Sequence, residues 1–448
     1  MSARDGGSVF NYYLTMAALS LKRNLAVTSL IVTAIGIGIG ASMTTLTMFR
    51  AMSADPIPQK SAQLFAVQID NWGPSGKTLD TGDSEHLQKQ ISYTDAVGLM
   101  KARAARRQSA MYATTLAVTP ANSQLEPFQV PARAVYADFF TMFDVPFLYG
   151  GPWGAQDDAG GAAIAIITQE LSDRVFGAAI NTVGKLINLR GQNYTIVGVM
   201  NKWNPVPKFF DLNREKYGPP EQVFLPFTWA IDKGMESSGS RNCAGPLGRG
   251  WSSLLRSECI WIQFWAELPT SREAVQYRDF LHRYAAEQRA VGRFNWPPHT
   301  RLRDVRAWLV YSGAVTTEAR LLVLISFGFL LVCLLNAMGL ILAKILGRTA
   351  EISVRRALGA ARREICTQFV IEAGFIGFIG GLLGLVLTAI GLFGLREVLS
   401  ADAGRLTQLD PVDMGLTLLI AIAASVGAAL YPIWRAAQIQ PAWQLKAG

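Results

Sequence analysis

The chain has 448 residues, half of them hydrophobic, and a formal net charge of +9. Eleven basic and three acidic residues in the short segments that flank its apolar runs account for eight of those nine charges, and the other 31 basic and 30 acidic residues nearly cancel. With no basic stripe interleaved with aromatics on a soluble domain, a nucleic-acid-binding role is excluded.

Four apolar runs, at residues 25–48, 321–343, 369–395 and 414–434, approach or exceed the roughly 20 residues needed to cross hydrocarbon. The first competes with a secretory signal peptide. It outruns the usual apolar length of about 7–15 residues and has no convincing cleavage site before Asp55 and Pro56, so it reads as a retained anchor. Ahead of it, residues 9–24 combine aromatic, Leu and Met residues with a basic end, as a helix lying in the inner-leaflet interface would. Within the first run Gly36 and Gly40 form a GxxxG flanked by Ala34, Ala41 and Ser42, which admits a close partner helix, either in a second subunit or in the same one. Basic residues cluster before the first run, between the second and third (Lys344, Arg348, Arg355, Arg356, Arg362, Arg363) and after the fourth (Arg435, Lys446). The positive-inside rule therefore places both termini and residues 344–364 in the cytoplasm and the long segment after the first run outside.

That external segment, about residues 50–319, is long enough for its own core and two lobes. Residues 64–69, 162–168, 185–200 and 260–268 are rich in β-branched and aromatic residues, with Arg190-Gly191 marking a hairpin turn in the third. Helices are expected over 92–107, 169–177 and 271–292, and an α+β domain follows. Residues 201–222 and 233–256, heavy in Gly, Pro, Lys, Asn and Ser, read as exposed loops or insertions.

Catalytic and ligand-binding signals are weak. Cys333 and Cys366 lie in or beside apolar runs and read as small apolar residues, whereas Cys243 and Cys259 are either a disulfide of an oxidising compartment or two independent thiols. His86, His282 and His299 have no metal-ligand spacing, so neither a metal site nor a catalytic residue is assigned. Residues 71–78, NWGPSGKT, end like a phosphate-binding loop. Asn71 stands where the first glycine is required and no strong helix follows, so they read as a plain turn. Asn336 in the second run and Glu372 early in the third are polar residues in apolar surroundings. Asn336 is placed to hydrogen-bond across helices, and Glu372 sits near enough to the cytoplasmic end to be interfacial.

The loop between the second and third runs is the specific feature. Residues 348–364 read RTAEISVRRALGAARRE, a compact surface of Ala350, Ala357, Gly359, Ala360 and Ala361 studded with arginines, suited to docking in a protein groove or on anionic lipid. Arg348, Glu351, Ile352, Arg355, Arg356, Ala357, Leu358, Gly359 and Ala360, continued by Gln368, Phe369 and Glu372, resemble the R-x-x-E-I-x-x-R-R-A-L-G-A pattern and Q-F-x-x-E extension of type VII ABC transporter permeases. That superfamily includes the macrolide-exporter, lipoprotein-release and cell-division permeases. Pro432, Ala436, Ala437, Pro441 and Leu445 resemble its closing signature, and residues 163–177, 181–200 and 222–230 resemble the inserted subdomain of macrolide-exporter-type members.

The resemblance implies a membrane protein of four transmembrane α-helices in a 1+3 arrangement, with a large two-lobed α+β periplasmic domain between helices 1 and 2. The expected division is an amphipathic elbow helix (1–24), helix 1 (25–49), the periplasmic domain (50–319; porter-like 50–135 and 257–319, inserted lobe 136–256), helix 2 (320–343), a coupling loop (344–366), helix 3 (367–396), a short periplasmic loop (397–412), helix 4 (413–434) and a cytoplasmic tail (435–448). It further implies a bacterial inner-membrane subunit, itself not an enzyme, that drives mechanotransmission and efflux of an amphipathic peptide, antibiotic or lipid-like cargo. Two copies of a separate ATPase, carrying the ATP and Mg that this chain lacks sites for, are expected to grip Arg348, Glu351, Ile352, Arg355, Arg356, Leu358, Gly359 and Ala360. A second permease, identical or not, is expected to pack on the first two helices at Gly36, Gly40 and Asn336. A periplasmic adaptor with an outer-membrane channel and membrane lipid complete the expected partners; the alternative reading is a signalling permease that controls an envelope hydrolase or sensor.

Overall fold

The first apolar run forms one uninterrupted helix, α1 (Leu25–Ser53). The computed structural model describes residues 24–72, 87–121, 125–178, 180–213, 216–245, 247–294, 296–297, 299–398 and 411–437. The chain divides into two units, Ser53–Ala314 and the combination of Met1–Met52 with Val315–Gly448. The expected elbow helix at 9–24, the GPSGKT stretch from Gly73 onward and His86 lie outside the described residues, as do Pro441 and Leu445 and most of the expected loop at 397–412.

The first of these units is a mixed α/β domain. β1 (Leu64–Ile69), β2 (Ile91–Ser92) and α2 (Tyr93–Ala102) precede the long strands β3 (Arg107–Thr119) and β4 (Phe128–Val135). Then come α3 (Asp138–Met142), β5 (Phe147–Gly150), α4 (Ala155–Gly160), β6 (Ile164–Thr168), α5 (Gln169–Phe176), β7 (Leu186–Leu189), β8 (Gln192–Met200), β9 (Val223–Pro226) and α6 (Phe227–Asp232). The unit closes with α7 (Trp251–Arg256), β10 (Ile260–Glu267), α8 (Ser271–Ala290), β11 (Thr300–Asp304) and α9 (Val305–Tyr311). The strands share one sheet in the order β11-β1-β10-β3-β4-β9-β6-β8-β5, with β2 on β10 and β7 bridging β3 and β8. Pairing is antiparallel except for β4 with β9 and β6 with β8.

Side chains alternate across this sheet, and both faces are covered. Ala66, Met111, Ile166, Phe224 and Trp265 enter one core, while their neighbours Val67, Tyr112, Ile167, Leu225 and Ala266 enter the other. Two-sided burial explains why β10 is an almost unbroken apolar run, buried at every position. The predicted hairpin forms as β7 and β8, and both Arg190 and Gly191 take the left-handed conformation, φ 52° and 79°, that a tight two-residue turn requires. α2 ends earlier than the sequence suggests. Ser92 caps its start by accepting the Asp95 N–H, and left-handed Arg103 closes it, because Arg107 onward is committed to pairing with β10 and β4.

The expectation of an exposed loop at 201–222 fails over residues 207–212. Phe209, Phe210 and Leu212 are buried in the aromatic core with Phe139, Phe143, Trp265 and Trp308, so this segment is a packed cover on the sheet. It carries an ionic centre. The Arg133 guanidinium, 1% exposed, donates to Asp211 at 2.8 Å and Glu221 at 2.7 Å and lies over the Phe210 ring, and Lys208 stands 3.4 Å from Glu221. Gln263 adds a 3.1 Å hydrogen bond to Asp211. Burial lowers Lys208, leaving Arg133 as the principal counter-charge. Burial by itself would raise the Glu221 carboxyl, but the Arg133 and Lys208 charges and the Arg133 hydrogen bonds outweigh it and hold the pKa at about 2.

The second unit is a helix bundle. After α1 come α10 (Thr317–Leu346), the short α11 (Thr349–Ala357), α12 (Arg362–Val398) and α13 (Pro411–Ala437). α1, α10, α12 and α13 are each long and apolar enough to cross a bilayer. α1 packs on two of its neighbours. Its glycine face meets α12 so closely that a Cβ on Gly36 would come within 2.8 Å of Leu383, and one on Gly40 within 2.7 Å of the Leu387 Cβ. Toward α10, Ser42 donates to the Ser326 carbonyl at 2.9 Å and Thr45 shares a 2.7 Å hydrogen bond with the Ser326 hydroxyl. Ser425 of α13 donates to the Ala373 carbonyl of α12 at 2.7 Å. Small residues and hydroxyl bonds are what hold helices together where lipid removes the hydrophobic driving force.

Two expected outcomes follow from the buried ionic centre. Arg133→Ala leaves Asp211 and Glu221 without their main counter-charge and should destabilise the sheet domain by about 3–5 kcal/mol, read as lost amide protection in β3, β4 and β9 by hydrogen exchange. Because the folded Glu221 pKa lies below its ordinary value of 4.5, its stabilisation is fully present above pH 4.5 and is lost as pH falls toward 2. An acid titration followed by near-ultraviolet circular dichroism should show this loss, and Glu221→Gln should flatten it.

Candidate functional site

α10 ends at Leu346, and the chain turns directly into α11 and then, within four residues, into α12. Two local signals in the sequence make that turn. Gly359, at φ 99°, takes the left-handed position after α11; its N–H bonds the Arg356 carbonyl at 3.1 Å, and the Ala360 N–H bonds the Arg355 carbonyl at 3.1 Å. These are the paired bonds of a Schellman motif, which is why glycine follows Leu358. At the start of α12 the Glu364 carboxylate reaches back to accept the Ala361 N–H at 3.3 Å.

Beneath the turn lies a second buried ionic centre. Lys344 near the end of α10 is 2.7 Å from the Glu372 carboxylate of α12, and Arg348 is 3.5 Å from its other oxygen. Lys344 also donates to the Thr28 hydroxyl of α1 at 3.2 Å. Glu372 is 3% exposed, so it is not the interfacial residue its place in the sequence suggested: it is a core carboxylate neutralised by the two cations opposite. One turn outward, Arg355 bonds Glu351 at 2.6 Å, the favourable acid-first i,i+4 arrangement, and Gln368 of α12 at 3.2 Å. Ile352 and Phe369 are buried between these polar layers. Arg348, Glu351, Ile352, Arg355, Gln368, Phe369 and Glu372 are thus brought into one interlocked cluster, which fixes α11 against both flanking helices.

The rest of the predicted coupling set faces outward. Leu358 is 83% and Val354 60% exposed, with Ala350, Ala357, Gly359 and Ala361 beside them, while Arg356 and Ala360 are half-buried. Val354 did not figure among the candidates; its signal was its spacing, four residues before Leu358 and so on the same helix face. The pattern is a small helix with an apolar, small-residue crest carried on a rigid polar base.

The remaining candidates fall elsewhere. Gly36 and Gly40, expected at an interface with a second permease, are filled by Leu383 and Leu387 of this same chain, because a face without Cβ atoms is where α12 can approach most closely. Asn336 is exposed on α10, where it does not join that packing. Cys243 and Cys259 are joined by a disulfide that ties exposed Cys243 to the residue before β10. Asn71, at the position a phosphate loop would give to glycine, donates to the Glu258 backbone carbonyl at 3.2 Å.

Removing the carboxylate of Glu372 should test the cluster. Glu372→Ala leaves buried cations uncompensated and should cost about 3–5 kcal/mol of bundle stability in denaturant titrations, whereas Glu372→Ala combined with Lys344→Met should recover much of the loss.

The model of a "MacB-like periplasmic core domain" matches residues 28–276, and that of an "FtsX-like permease C-terminal" matches residues 323–441. The chain is 26% identical over 371 residues to the macrolide export ATP-binding/permease protein MacB of Agrobacterium fabrum, covering 82% of this chain and 48% of that protein. It is 22% identical over 406 residues to the MacB of Salmonella paratyphi A, covering 88% and 54%. The chain therefore spans about half the length of these relatives. Among solved structures it is similar to the periplasmic region of MacB from Actinobacillus actinomycetemcomitans, at 9% identity and a TM-score of 0.34, over 56% of this chain and 92% of that one.

Proposed function

We propose, on the premise that this chain belongs to the MacB- and FtsX-type ABC transporter permeases, that α11 and its crest are the surface through which ATP hydrolysis on a partner ATPase drives the protein. The observation that carries this reading is the contrast within one nine-residue helix between a locked inner face and an exposed apolar outer face. A helix needs no rigid ionic base merely to connect two spans. It does need one if a push delivered at Val354 and Leu358 is to reach α10 and α12 together.

In this reading α11 lies in the cytoplasm, as the clustered positive charge favours, and each of two ATPase subunits, holding ATP and Mg, seats the α11 crest of one permease in a surface groove. Closure of the ATPase pair displaces α11, the Lys344–Glu372–Arg348 centre passes the displacement into α10 and α12, and the sheet domain outside the membrane changes shape in response. The cargo class we favour is an amphipathic molecule exported from the periplasmic side, in keeping with relatives named for macrolide export. A second permease would meet this one away from the glycine face of α1, which is filled, and α10 with Asn336 offers the open surface.

The full chain purified with its ATPase tests the coupling role. Leu358→Asp changes a side chain that touches almost nothing in its own subunit, and it should lower complex recovery and stimulated ATP hydrolysis about tenfold or more. Arg355→Glu should act similarly by unseating α11, and the reciprocal Glu351→Arg, Arg355→Glu exchange should restore part of the activity by re-forming the pair. Unchanged assembly and hydrolysis in Leu358→Asp would remove the basis of the assignment.

A further inference from the structure

The sheet domain carries a cleft that the coupling role does not use. It lies between the C-terminal end of α2 with the turn into β3 on one side and α3 and α4 on the other, and it holds about 840 Å³. That volume is in the range of roughly 300–1,000 Å³ typical of small-molecule sites. Its apolar lining includes Val97, Met100, Tyr136, Pro152 and Trp153. Val97 is 36% exposed, an apolar side chain left facing the opening.

The charged groups of the cleft are not balanced. Its two carboxylates are already engaged within the fold: Asp158 accepts the Ala137 N–H at 2.9 Å and the Trp153 indole N–H at 2.8 Å, and Asp138 accepts the Gln108 N–H at 3.2 Å. Opposite them Lys101, Arg103 and Arg106 are exposed. None of these three cations makes an ion pair or side-chain hydrogen bond among the described residues. Arg103 is moreover held at φ 46° and ψ 44°, a left-handed conformation that an arginine adopts only at a cost of roughly 1–2 kcal/mol. Glycine or asparagine would close α2 more cheaply, and the strained arginine places a guanidinium on the rim.

We propose that this cleft binds an amphiphile with one anionic head group, the acid held by Arg103, Arg106 and Lys101 and the apolar body laid against Val97, Met100 and Trp153. A guanidinium pair receives a carboxylate or a phosphate through charge-assisted, fork-shaped hydrogen bonds. A cationic amphiphile would meet three exposed cations that outnumber the two carboxylates of the cleft, and a small hydrophilic acid would leave the apolar lining unused. The site is independent of α11, so its occupancy does not depend on the ATPase role proposed above.

Photolabelling of the full chain in detergent, without nucleotide, tests the site. The probes are a sixteen-carbon carboxylate bearing a mid-chain diazirine, a sixteen-carbon phosphate monoester and a sixteen-carbon amine carrying the same diazirine. Both anionic probes should label peptides spanning residues 93–103 or 152–160 saturably, and the relative yield of the two shows which head group is preferred. Dodecanoate should compete and acetate should not. The Arg103→Glu, Arg106→Glu double variant should lose about tenfold or more of the labelling, whereas Arg272→Glu, an exposed change at the start of α8, should leave it intact. Retention of the Cys243–Cys259 disulfide and of the elution volume would show that the double variant is folded. Equal labelling by the amine, or labelling untouched by the double charge reversal, would overturn the proposal. Failure of the Leu358→Asp experiment with labelling intact would reject the coupling role alone.

Discussion

A carboxylate surrounded by apolar helices has to be neutralised where it stands, and Glu372 is the residue on which the arrangement of the bundle turns. Lys344 and Arg348 approach it from the end of α10 and the start of α11, and Lys344 in turn reaches Thr28 of α1. Taking these charges out of water is costly, and only good geometry repays it. The geometry therefore tolerates little sliding between α10 and α12. That intolerance is what lets so short a helix as α11 act as a rigid part, since its own backbone bonds alone would leave it marginal.

The sheet domain applies the same rule to a different end. Arg133 on β4 gathers Asp211 from the cover and Glu221 from the approach to β9, so both are held to the strand by charge, with Phe209 and Phe210 packed beside Asp211. β4 is also the strand that pairs in parallel with β9, the junction through which β6, β8 and β5 are added to the sheet. The ionic centre thus sits where the sheet depends most on long-range pairing, the kind of contact that costs the most chain entropy to form. An apolar replacement of similar volume would hold the cover down as well, so the centre is better read as fixing the position of the cover than as adding net stability.

The fold class, the four spans, β1, the β7–β8 hairpin, β10 and the helices α5 and α8 were legible because each has a local cause: apolar length, period, or a turn that demands left-handed residues. The motif over residues 348–372 was legible as a string of residues. What the string could not convey was its division of labour, because Glu351, Arg355, Gln368 and Glu372 look alike as polar residues until three helices bring them together. The helix expected over 92–107 was drawn too long because Arg103, Ala104, Ala105 and Arg106 are good helix formers, and only the pairing of Arg107 onward with β10 and β4 ends it earlier. The 207–212 cover was read as loop because it lies within the 201–222 stretch, heavy in Gly, Pro, Lys and Asn, in which two adjacent phenylalanines are too few to register as an element. Gly36 and Gly40 were correctly read as a close-approach face, but a glycine pair carries no information on whether the approaching helix belongs to the same chain.

The charge between the second and third spans now divides into parts with different causes. Lys344 and Arg348 are committed to Glu372, and Arg355 to Glu351 and Gln368, so half of the six basic residues that suggested the orientation are neutralised inside the protein. Arg362 and Arg363 are not explained in that way. They are exposed in the first turn of α12, where the positive end of the helix dipole disfavours cations by a few tenths of a kcal/mol or more. Two cations placed against local electrostatics leave an exposed basic patch at the start of α12, next in sequence to the α11 crest. Glu364 caps the same turn through the Ala361 N–H, so its carboxylate stands where the helix dipole favours a negative charge, whereas the two arginines beside it are disfavoured there.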